Sequence, residues 1–498
     1  MITLVGPSLP YGFAKRHGVL LLDAGDVARV GLREGADPKG LIEARRVLGR
    51  PLAVEPLSQA AFDRQLSEIY AGDHLAAADG EDLDMPAGLD SLIDDIPAAA
   101  DLLDTADDAP VIRLINGIIA EAVRTGASDI HLETYESALL VRMRIDGVLR
   151  EALSLNPRIA PLLVSRIKVM ARLDIAEKRV PQDGRIPLAL GGKTLDVRVS
   201  TLPSRGGERV VMRILDKDQA GLTLDRLGMA PDALAAFRAA LAEPNGIILV
   251  TGPTGSGKTT SLYAGLALLN DQTRNILTVE DPVEYAIDGV GQTQVNTKVG
   301  MTFAAGLRAI LRQDPDVVMV GEIRDVETAA IAVQAALTGH LVLSTVHTND
   351  AAGAVTRLRD MGVEPFLLAS TLRLIVAQRL VRRLCEHCRI PEVADKKTAK
   401  LIGAKAGVTV WRPQGCSHCG GSGYIGRIGL YEVMKVGNRL RRLIAAEADE
   451  DALVAAAFDG AGTLGHRART LVLEGATSVE EAVRVARQET AADPAEAA

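Results

Sequence analysis

The chain has 498 residues, 47% of them apolar and 3% aromatic, and a net charge of −8. This length is too great for one hydrophobic core, so it predicts two to four domains with cores of aliphatic side chains. No segment approaches the roughly 18 consecutive apolar residues of a transmembrane helix, and the first residues lack the apolar core of a signal peptide. The sequence therefore predicts a cytoplasmic protein that can reach a membrane only through a partner.

The negative charge is concentrated in one segment. Residues 65–112 contain 13 Asp or Glu and no Lys or Arg, so the rest of the chain is net positive. Because this segment is also poor in large apolar groups, it predicts an acidic flexible linker at 72–108, and a regulatory acidic segment is the alternative. No run of Lys and Arg indicates a nucleic-acid-binding arm, so no nucleic-acid partner is expected.

The first 71 residues predict a small α/β domain. They mix short apolar runs with helix-compatible stretches, and nothing in them carries catalytic chemistry, which favours an interaction domain. Residues 10–17 place two aromatic rings beside three potentially basic groups. This segment is interpreted either as a docking patch or as ordinary residues of a small domain.

Residues 109–218 predict a second domain. An amphipathic helix begins near Val111, a hairpin turns at Asp146-Gly147, and a second helix covers about 158–176. Strands over 195–201 and 209–215 follow. They carry three arginines, which are either surface groups or phosphate ligands: Arg198, Arg209 and Arg213.

A phosphate-binding loop follows a short apolar run at 247–250. It reads Gly252-Pro253-Thr254-Gly255-Ser256-Gly257-Lys258-Thr259-Thr260 and matches G-x-x-x-x-G-K-[ST] between a strand and a helix. The glycines let backbone N–H groups curl around phosphate oxygens, and the helix N-terminus attracts the anion. Lys258 is expected to reach the β- and γ-phosphates of ATP, and Thr259 to ligate Mg²⁺. The alternative, a glycine-rich turn before a helix, does not account for both the motif and its context.

Residues 226–380 alternate strands with helices, the pattern of a parallel sheet covered by helices. The candidate strands are 247–251, 276–280, 317–321 and 341–346. In such sheets ligands bind beyond the carboxyl ends of the strands. After the first strand comes the phosphate-binding loop, and the later strands lead into Glu280-Asp281, Glu322 and His347.

The strand ends suggest a role for each residue. Glu322 is the candidate that orients or activates the attacking water, although Gly321 stands where many such ATPases have Asp. Glu280 or Asp281 is expected to assist Thr259 in holding Mg²⁺. His347 is predicted to sense the γ-phosphate. His340, an odd number of residues earlier, would face the other way on a strand and is interpreted as structural.

Two arginines of the predicted sheet domain at 226–380 are four residues apart. Arg308 and Arg312 are expected to share one helix face. The pair is interpreted either as a solvated basic face or as arginines that act in trans across a subunit boundary.

All four cysteines lie in a predicted small module, 381–425. Cys385-x-x-Cys388 and Cys416-x-x-Cys419 are separated by 27 residues, and paired C-x-x-C knuckles suit tetrahedral thiolate coordination of a structural Zn²⁺. Disulfides and an iron–sulfur cluster are the alternatives, and a reducing cytosol disfavours the former. Residues 427–490 are expected to be helical, in a C-terminal subdomain 426–498.

Taken together, these motifs resemble the secretion ATPases of the type II/type IV pilus family. The resemblance is carried by ILTVEDPVEY (276–285), LRQDPDVVMVGEIRD (311–325), TGHLVLSTVHTND (338–350) and RVSTLPSRGGERVVMRIL (198–215), besides the phosphate-binding loop. The N-terminal PYGFAKRHGVLLL is similar to the general secretion pathway protein E branch, and the tetracysteine module indicates the assembly branch.

The resemblance implies an α/β fold with a RecA-like P-loop NTPase motor domain, a PAS-like second N-terminal domain, a zinc module and an N-terminal docking domain. It implies a homo-hexamer that binds ATP, Mg²⁺ and Zn²⁺. The N-terminal domain would dock on the cytoplasmic domain of the inner-membrane protein GspL, and force would reach the platform protein GspF. By match, Glu322 is the catalytic glutamate, and the family's arginines fall on Arg198, Arg213, Arg308 and Arg312.

The predicted function is therefore ATP hydrolysis that drives pseudopilus assembly in type II secretion, through motion about a joint at 219–225. Three rivals remain: the same motor in type IV pilus assembly, a DNA-pumping ATPase, and a nucleotide-gated scaffold without turnover.

Overall fold

The computed structural model describes residues 9, 13–14, 17–37, 39–70, 109–190, 193–216, 223–458 and 462–490. The chain divides into two compact units, Met1–Gln219 and Ala220–Ala498, and each is described by itself. The predicted acidic linker lies outside the described residues, as do most of the predicted joint and of the candidate docking patch. Within the described ranges no helix is both long and apolar enough to cross a membrane.

The first unit begins with a small three-stranded sheet. Strands β1 (Val19–Asp23) and β2 (Ala28–Arg33) pair antiparallel, and β3 (Leu52–Leu57) pairs parallel to β2 after the helix Lys39–Leu48. A further helix, Gln59–Tyr70, follows. Its buried Phe62 joins a small apolar cluster with Val169, from a later helix of the same unit. The sheet and its helices form the α/β arrangement that the sequence predicts.

A six-stranded antiparallel sheet forms the rest of the first unit. Its strands are β4 (Ala127–Thr134), β5 (Leu139–Ile145), β6 (Val148–Leu155), β7 (Gln182–Leu190), β8 (Lys193–Ser204) and β9 (Gly207–Asp216). Their order across the sheet is β6-β5-β4-β9-β8-β7, and the helices Ala109–Arg124 and Ala160–Met170 pack on it. Asp146 and Gly147, with φ of 50° and 83°, form the two-residue turn between β5 and β6, as their sequence predicts.

The helix Ala160–Met170 is shorter than the predicted 158–176. It ends at Met170 because Arg172 adopts a left-handed φ of 57°. The Leu173 N–H then bonds the Lys168 carbonyl at 2.8 Å, and the Arg172 N–H bonds the Val169 carbonyl at 3.0 Å. This is a Schellman cap, which usually has Gly at the left-handed position. An arginine there gives no sequence signal for the helix end.

The second unit is built on a seven-stranded sheet. Its strands are β10 (Gly246–Thr251), β11 (Ile276–Glu280), β12 (Gly291–Gln294), β13 (Val317–Val320), β14 (Leu341–Val346), β15 (Leu372–Leu384) and β18 (Tyr424–Lys435), in the order β12-β11-β13-β14-β10-β15-β18. Every neighbouring pair is parallel except β15 with β18. The four predicted strands are all present. His340 and His347 lie just outside the two ends of β14, not on opposite faces of a strand.

Helices cover both faces of this sheet. They are Pro231–Leu241, Lys258–Leu269, Phe303–Ile310, Val326–Leu337, Ala351–Asp360, Pro365–Thr371, Asn438–Ala445, Glu450–Phe458, Leu464–Leu473 and Val479–Thr490. Successive residues of β10 alternate between two apolar cores: Ile247 and Leu249 belong to one, Ile248 and Val250 to the other. A strand buried on both faces reads as a continuous apolar run, which is why β10 is visible in the sequence.

One prediction is wrong at the end of the motor domain. The sequence predicts helices over 427–490, but Tyr424–Lys435 is the strand β18, paired antiparallel along β15. The segment reads YIGRIGLYEVMK, in which apolar and polar residues do not alternate, so it carries no two-residue period that would indicate a strand. The sheet therefore extends past the predicted limit at residue 380. The cysteine module, with β16 (Ile390–Val393), β17 (Thr409–Arg412) and the helix Lys396–Leu401, is inserted between β15 and β18.

Candidate nucleotide-binding site and metal centre

The phosphate-binding loop follows β10 with all three of its glycines at positive φ. The values are 143° at Gly252, 78° at Gly255 and 86° at Gly257. A side chain at any of these positions would be strained. The helix Lys258–Leu269 begins directly after Gly257, so its first N–H groups and positive dipole end meet the loop. The exposed Thr259 lies in the first turn of that helix.

Lys258 folds back onto the loop. Its Nζ donates to the carbonyls of Gly252 at 2.7 Å and Pro253 at 3.0 Å, and the residue is only 9% exposed. Burial lowers the pKa of Lys258 from 10.5 to about 8, with Glu322 opposing the shift and Arg379 adding to it. An anion bound in the loop would favour the charged amine and raise this pKa again.

Glu322 and His347 meet at the same sheet edge. His347 Nε2 lies 3.2 Å from Glu322 Oε2, and Arg324 forms an ion pair with the other oxygen of Glu322. Glu322 is 7% exposed. The loop that carries His347 is tied to β10, because Thr348 N–H donates to Thr251 Oγ1 at 3.0 Å. A buried carboxylate beside an imidazole and near Lys258 can orient a water at a phosphate in this loop.

Glu280 has a different environment from the one its sequence suggests. It is 2% exposed, and its carboxylate accepts hydrogen bonds from Thr278 Oγ1 at 2.5 Å, Gln292 Nε2 at 3.2 Å and the Tyr263 hydroxyl. Burial raises its pKa. Glu280 thus ties β11 to the helix that follows the phosphate-binding loop. Asp281 beside it is exposed.

The two motor-domain arginines do not share a helix face. Arg308 lies in the helix Phe303–Ile310 and forms an ion pair with Glu327. Arg312 lies beyond the helix end, and its Nη1 donates to the Arg308 carbonyl at 3.0 Å. The helix stops after Ile310, so the predicted four-residue spacing along one face is lost. Arg308 retains half of its side-chain exposure.

The other two predicted arginines are direct cross-strand neighbours. Arg198 on β8 is the register partner of Arg213 on β9. Arg213 Nε donates to Asp129 Oδ1 at 2.9 Å. Like charges opposite each other across two strands are destabilising unless an anion lies nearby. Asp129 supplies one such anion beside Arg213.

Two buried polar residues near the loop are missed by sequence reasoning. Gln378 and Arg379 lie on β15, and each is 2% exposed. The only sequence signal is a polar pair inside the otherwise apolar run LIVAQRLV.

The four cysteines converge on one point. Their sulfurs all lie within 4.8 Å of one another, and three of the separations are 3.9 Å (Cys385–Cys416), 3.8 Å (Cys388–Cys419) and 3.7 Å (Cys416–Cys419). A tetrahedral Zn²⁺ with Zn–S bonds of about 2.3 Å requires sulfurs about 3.8 Å apart. None of the four, all in the described part of the chain, is in a disulfide.

The surroundings of Cys419 also suit a thiolate. Burial opposes ionisation, but the backbone N–H groups of Cys416 and Gly423 donate to its sulfur at 3.2 and 3.1 Å and hold its pKa at about 6. Burial raises the pKa of the Cys388 thiol to about 11, so it is the convergence of four sulfurs that makes the donor set fit a metal that prefers thiolates. The exposed rings of His387 and His418 lie beside the knuckles, with their centroids 4.2 Å apart.

Comparison with known proteins decides the family. A model of the Type II/IV secretion system protein family matches residues 104–484, and a model of a GSPII protein E domain matches residues 8–70. The chain belongs to the Type II/IV secretion system protein family. This confirms the predicted family and the assignment of the chain as a secretion ATPase.

Full-length relatives lie within the type II branch of this family. The chain is 54% identical over 487 residues to "Type II secretion system protein E" of Klebsiella pneumoniae, covering 97% of each chain. It is 52% identical over 489 residues to "Type II secretion system ATPase E" of Vibrio cholerae, covering 96% of this chain and 97% of that one.

Solved structures confirm the predicted fold class. The pilus retraction motor PilT with bound ADP is 27% identical and aligns with a TM-score of 0.51 over 76% of this chain and 96% of PilT. The ATPase DotB of Legionella pneumophila is 22% identical, with a TM-score of 0.56 over 75% of this chain and 95% of DotB, a likeness of fold. The motor domain is thus a RecA-like ATPase domain in a mixed α/β chain.

Proposed function

We propose that this protein is the ATP-driven motor of a type II secretion system, hydrolysing ATP to power pseudopilus assembly and protein export. One structural observation carries the catalytic part: Lys258, Glu322 and His347 lie at one edge of the sheet, around the end of β10. The relatives named for type II secretion support the biological part. They also favour this function over type IV pilus assembly.

That geometry supports the following residue roles. Backbone N–H groups of the segment Gly252 to Thr260, in which only Pro253 lacks one, cradle the phosphates of ATP, and Lys258 leaves the loop carbonyls to contact the β- and γ-phosphates. The hydroxyl of Thr259 ligates Mg²⁺, with Asp281 assisting through water. Glu280 contributes by holding the helix, since its carboxylate already accepts three hydrogen bonds.

Glu322 is the group that orients the attacking water, and His347 senses the γ-phosphate. Arg324 neutralises Glu322 in the structure, so the ion pair must loosen for the carboxylate to accept a proton from water. The arginines Arg198, Arg213, Arg308 and Arg312 stabilise phosphate charge within a homo-hexamer. The exposure of Arg308 and the cross-strand pairing of Arg198 with Arg213 are compatible with such contacts.

The cysteine module holds one structural Zn²⁺ through Cys385, Cys388, Cys416 and Cys419. The metal would cross-link the two ends of an insertion in the main sheet, because Cys385 follows β15 and Cys416 precedes β18. It supplies no step of ATP hydrolysis.

The partners proposed are membrane proteins of the secretion system. The N-terminal domain docks on the cytoplasmic domain of GspL, and the motor transmits force to the platform protein GspF. The protein would then lie in the cytoplasm, held at the inner membrane by these partners. The match of residues 8–70 to the GSPII protein E domain supports the first contact.

Complementation tests the proposed function. In a strain that lacks the gene, the wild-type chain is expected to restore the exoprotein fraction and to leave surface pili unchanged. Lys258→Ala is expected to restore neither hydrolysis nor export, while an exposed control, Lys298→Ala, restores both. If the deletion strain lost its pili but exported proteins normally, the protein would instead be a pilus motor. Export in the strain that carries Lys258→Ala would contradict the catalytic site.

A further inference from the structure

Strand β15 carries two buried polar side chains where it passes the phosphate-binding loop. Gln378 and Arg379 are each 2% exposed, within a strand that is otherwise mostly apolar. A buried guanidinium is costly unless it is hydrogen-bonded or paired. An aliphatic side chain would fill the same place at lower cost, so simple packing does not account for an arginine here.

The pair lies directly against the loop glycines. A Cβ on Gly252 would be 2.3 Å from the Gln378 carbonyl oxygen and 3.1 Å from Arg379 Nη1. A Cβ on Gly257 would be 2.8 Å from Gln378 Nε2, whereas one on Gly255 would have no described atom within 4 Å. The first and last positions therefore require glycine partly because β15 leaves no room for a Cβ, whereas the middle one requires it for its backbone conformation alone.

The two side chains reach opposite layers of the motor domain, as consecutive residues of a strand do. Gln378 Oε1 accepts a hydrogen bond from Ser261 Oγ at 2.7 Å, in the helix after the loop. Arg379 Nη2 donates to the Asn349 carbonyl at 2.6 Å and to Asn349 Oδ1 at 3.3 Å. Asn349 comes two residues after His347.

Arg379 therefore contacts both halves of the site. Its Nη1 lies beside the first glycine of the phosphate-binding loop, 3.1 Å from the place of a Cβ on Gly252, and donates to the Gln378 carbonyl at 3.2 Å. Its Nη2 bonds Asn349, in the loop that carries His347. Its charge also contributes to the low pKa of Lys258, after burial and against Glu322. The proposed function gives Asn349 no contact with a phosphate, so the hydrogen bonds from Arg379 hold its loop and do not bind nucleotide.

We propose that Arg379 is a positioning residue for ATP hydrolysis, which holds the phosphate-binding loop in register with residues 347–350 so that Lys258 and His347 meet the same γ-phosphate. The proposal rests on the nucleotide site proposed above. Nucleotide affinity comes from the loop N–H groups and Lys258, which Arg379 does not replace. The reaction depends on relative placement, and a misplacement of about 1 Å can reduce a rate by about 100-fold.

The test compares two arginines of the same strand. Arg379→Lys keeps the charge but loses the planar fork that reaches Asn349. The control is Arg373→Lys: Arg373 donates to the Ser370 carbonyl at 2.6 Å and to Asn245 Oδ1 at 2.9 Å, at the other end of β15. Phosphate release gives kcat, and a fluorescent ATP analogue gives affinity, both on the full-length protein with Mg²⁺.

Arg379→Lys is expected to lower kcat at least about 10-fold and to change nucleotide affinity less than about 3-fold, because placement affects reaction more than binding. Arg373→Lys should leave both within about 2-fold of the wild type, because it lies away from the loop. Equal effects of the two substitutions, or a loss confined to affinity, would overturn the proposal.

A second variant covers the case in which Arg379→Lys does not fold. Asn349→Ala removes the side-chain acceptor at 3.3 Å but keeps the carbonyl acceptor at 2.6 Å. It should therefore lower kcat less than Arg379→Lys does, without loss of affinity, and unchanged kcat would count against the proposal. Where both single variants fold, the double variant should lose no more kcat than Arg379→Lys alone. If the two losses in log kcat were additive, Arg379 and Asn349 would not act through the same contact.

Lys258→Ala, measured in parallel, distinguishes failure of the proposed nucleotide site from failure of the positioning role of Arg379. If it hydrolyses ATP normally, the proposed site itself fails. If it is inactive while Arg379→Lys behaves like Arg373→Lys, only the positioning role fails.

Discussion

At the scale of single residues, Lys258 shows how the site holds a positive charge close to the loop. The amine is buried and bonds two loop carbonyls. Carbonyl oxygens stabilise the ammonium less well than phosphate oxygens do, because they carry no net charge. The Lys258 ammonium group is therefore expected to exchange the loop carbonyls for phosphate oxygens when nucleotide binds.

The pH dependence of nucleotide affinity follows from this. Since the free protein holds the pKa of Lys258 near 8, below its ordinary 10.5, and bound phosphate favours the charged form, ATP affinity should fall as pH rises through about 8. Lys258→Arg should bind more weakly but show no such fall, because its charge persists. Titration of a fluorescent ATP analogue from about pH 7 to about pH 10 covers the window and measures both.

The stability of the protein without nucleotide should change in the opposite direction. Between pH 8 and 10.5 the unfolded chain holds a proton on Lys258 that the folded chain has lost. The folded state therefore gains stability as pH rises through that window. Lys258→Met, which does not titrate, should lack this contribution in denaturant unfolding. A wild-type curve identical in shape to that of the Met variant would contradict the buried environment.

At the scale of elements, the hydrogen bond between Tyr263 and Glu280 joins the helix after the phosphate-binding loop to β11. Tyr263→Phe should destabilise the protein by about 1–3 kcal/mol, because it leaves a buried carboxylate oxygen without its donor. Tyr285→Phe is the matched control, since that ring packs edge-on against Tyr263 at 4.7 Å. Denaturant unfolding compares the two, and equal small losses would show that the Glu280 contact contributes little.

Zinc binding by the cysteine module can be tested by metal analysis and by the fluorescence of a tryptophan in the module. Full-length protein should contain about one Zn²⁺ per chain, and Cys385→Ser should lose it, whereas His387→Ala should keep it because that exposed ring lies outside the sulfur cluster. Metal analysis measures the content. Trp411, the single tryptophan, lies under the Arg389 guanidinium at 4.7 Å, so chelation should change its fluorescence. Zinc retained by Cys385→Ser would contradict the site.

At the scale of the whole molecule, local motifs are easier to predict than the limits of the sheet. The phosphate-binding loop depends on neighbours in sequence, and Glu322 and His347 could be placed because parallel strands end at one edge. Strand β18 could not, because it is added to the sheet after an insertion and its partner β15 lies far away in the chain, with Gln378 opposite Tyr431. Long-range pairing leaves no local signal.

The roles of buried polar residues are also not predicted by the sequence. Glu280 resembles a metal ligand in the sequence because it follows a strand, but its neighbours Tyr263 and Gln292 come from other elements. Arg379 reads as part of an apolar strand. In both cases the tertiary partners decide the role, and the sequence names the residue without naming those partners.

In the proposed mechanism, ATP bound at Lys258 is cleaved with the help of Glu322. The most direct measurement is phosphate release and nucleotide retention by full-length Glu322→Gln, beside the exposed control Glu364→Gln. We expect Glu322→Gln to lose at least about 100-fold in turnover, the scale of a lost general base, while it still binds ATP as tightly as the wild type and retains it uncleaved. Turnover within about 3-fold of the control, far less than the loss of a general base causes, would contradict a catalytic role for Glu322.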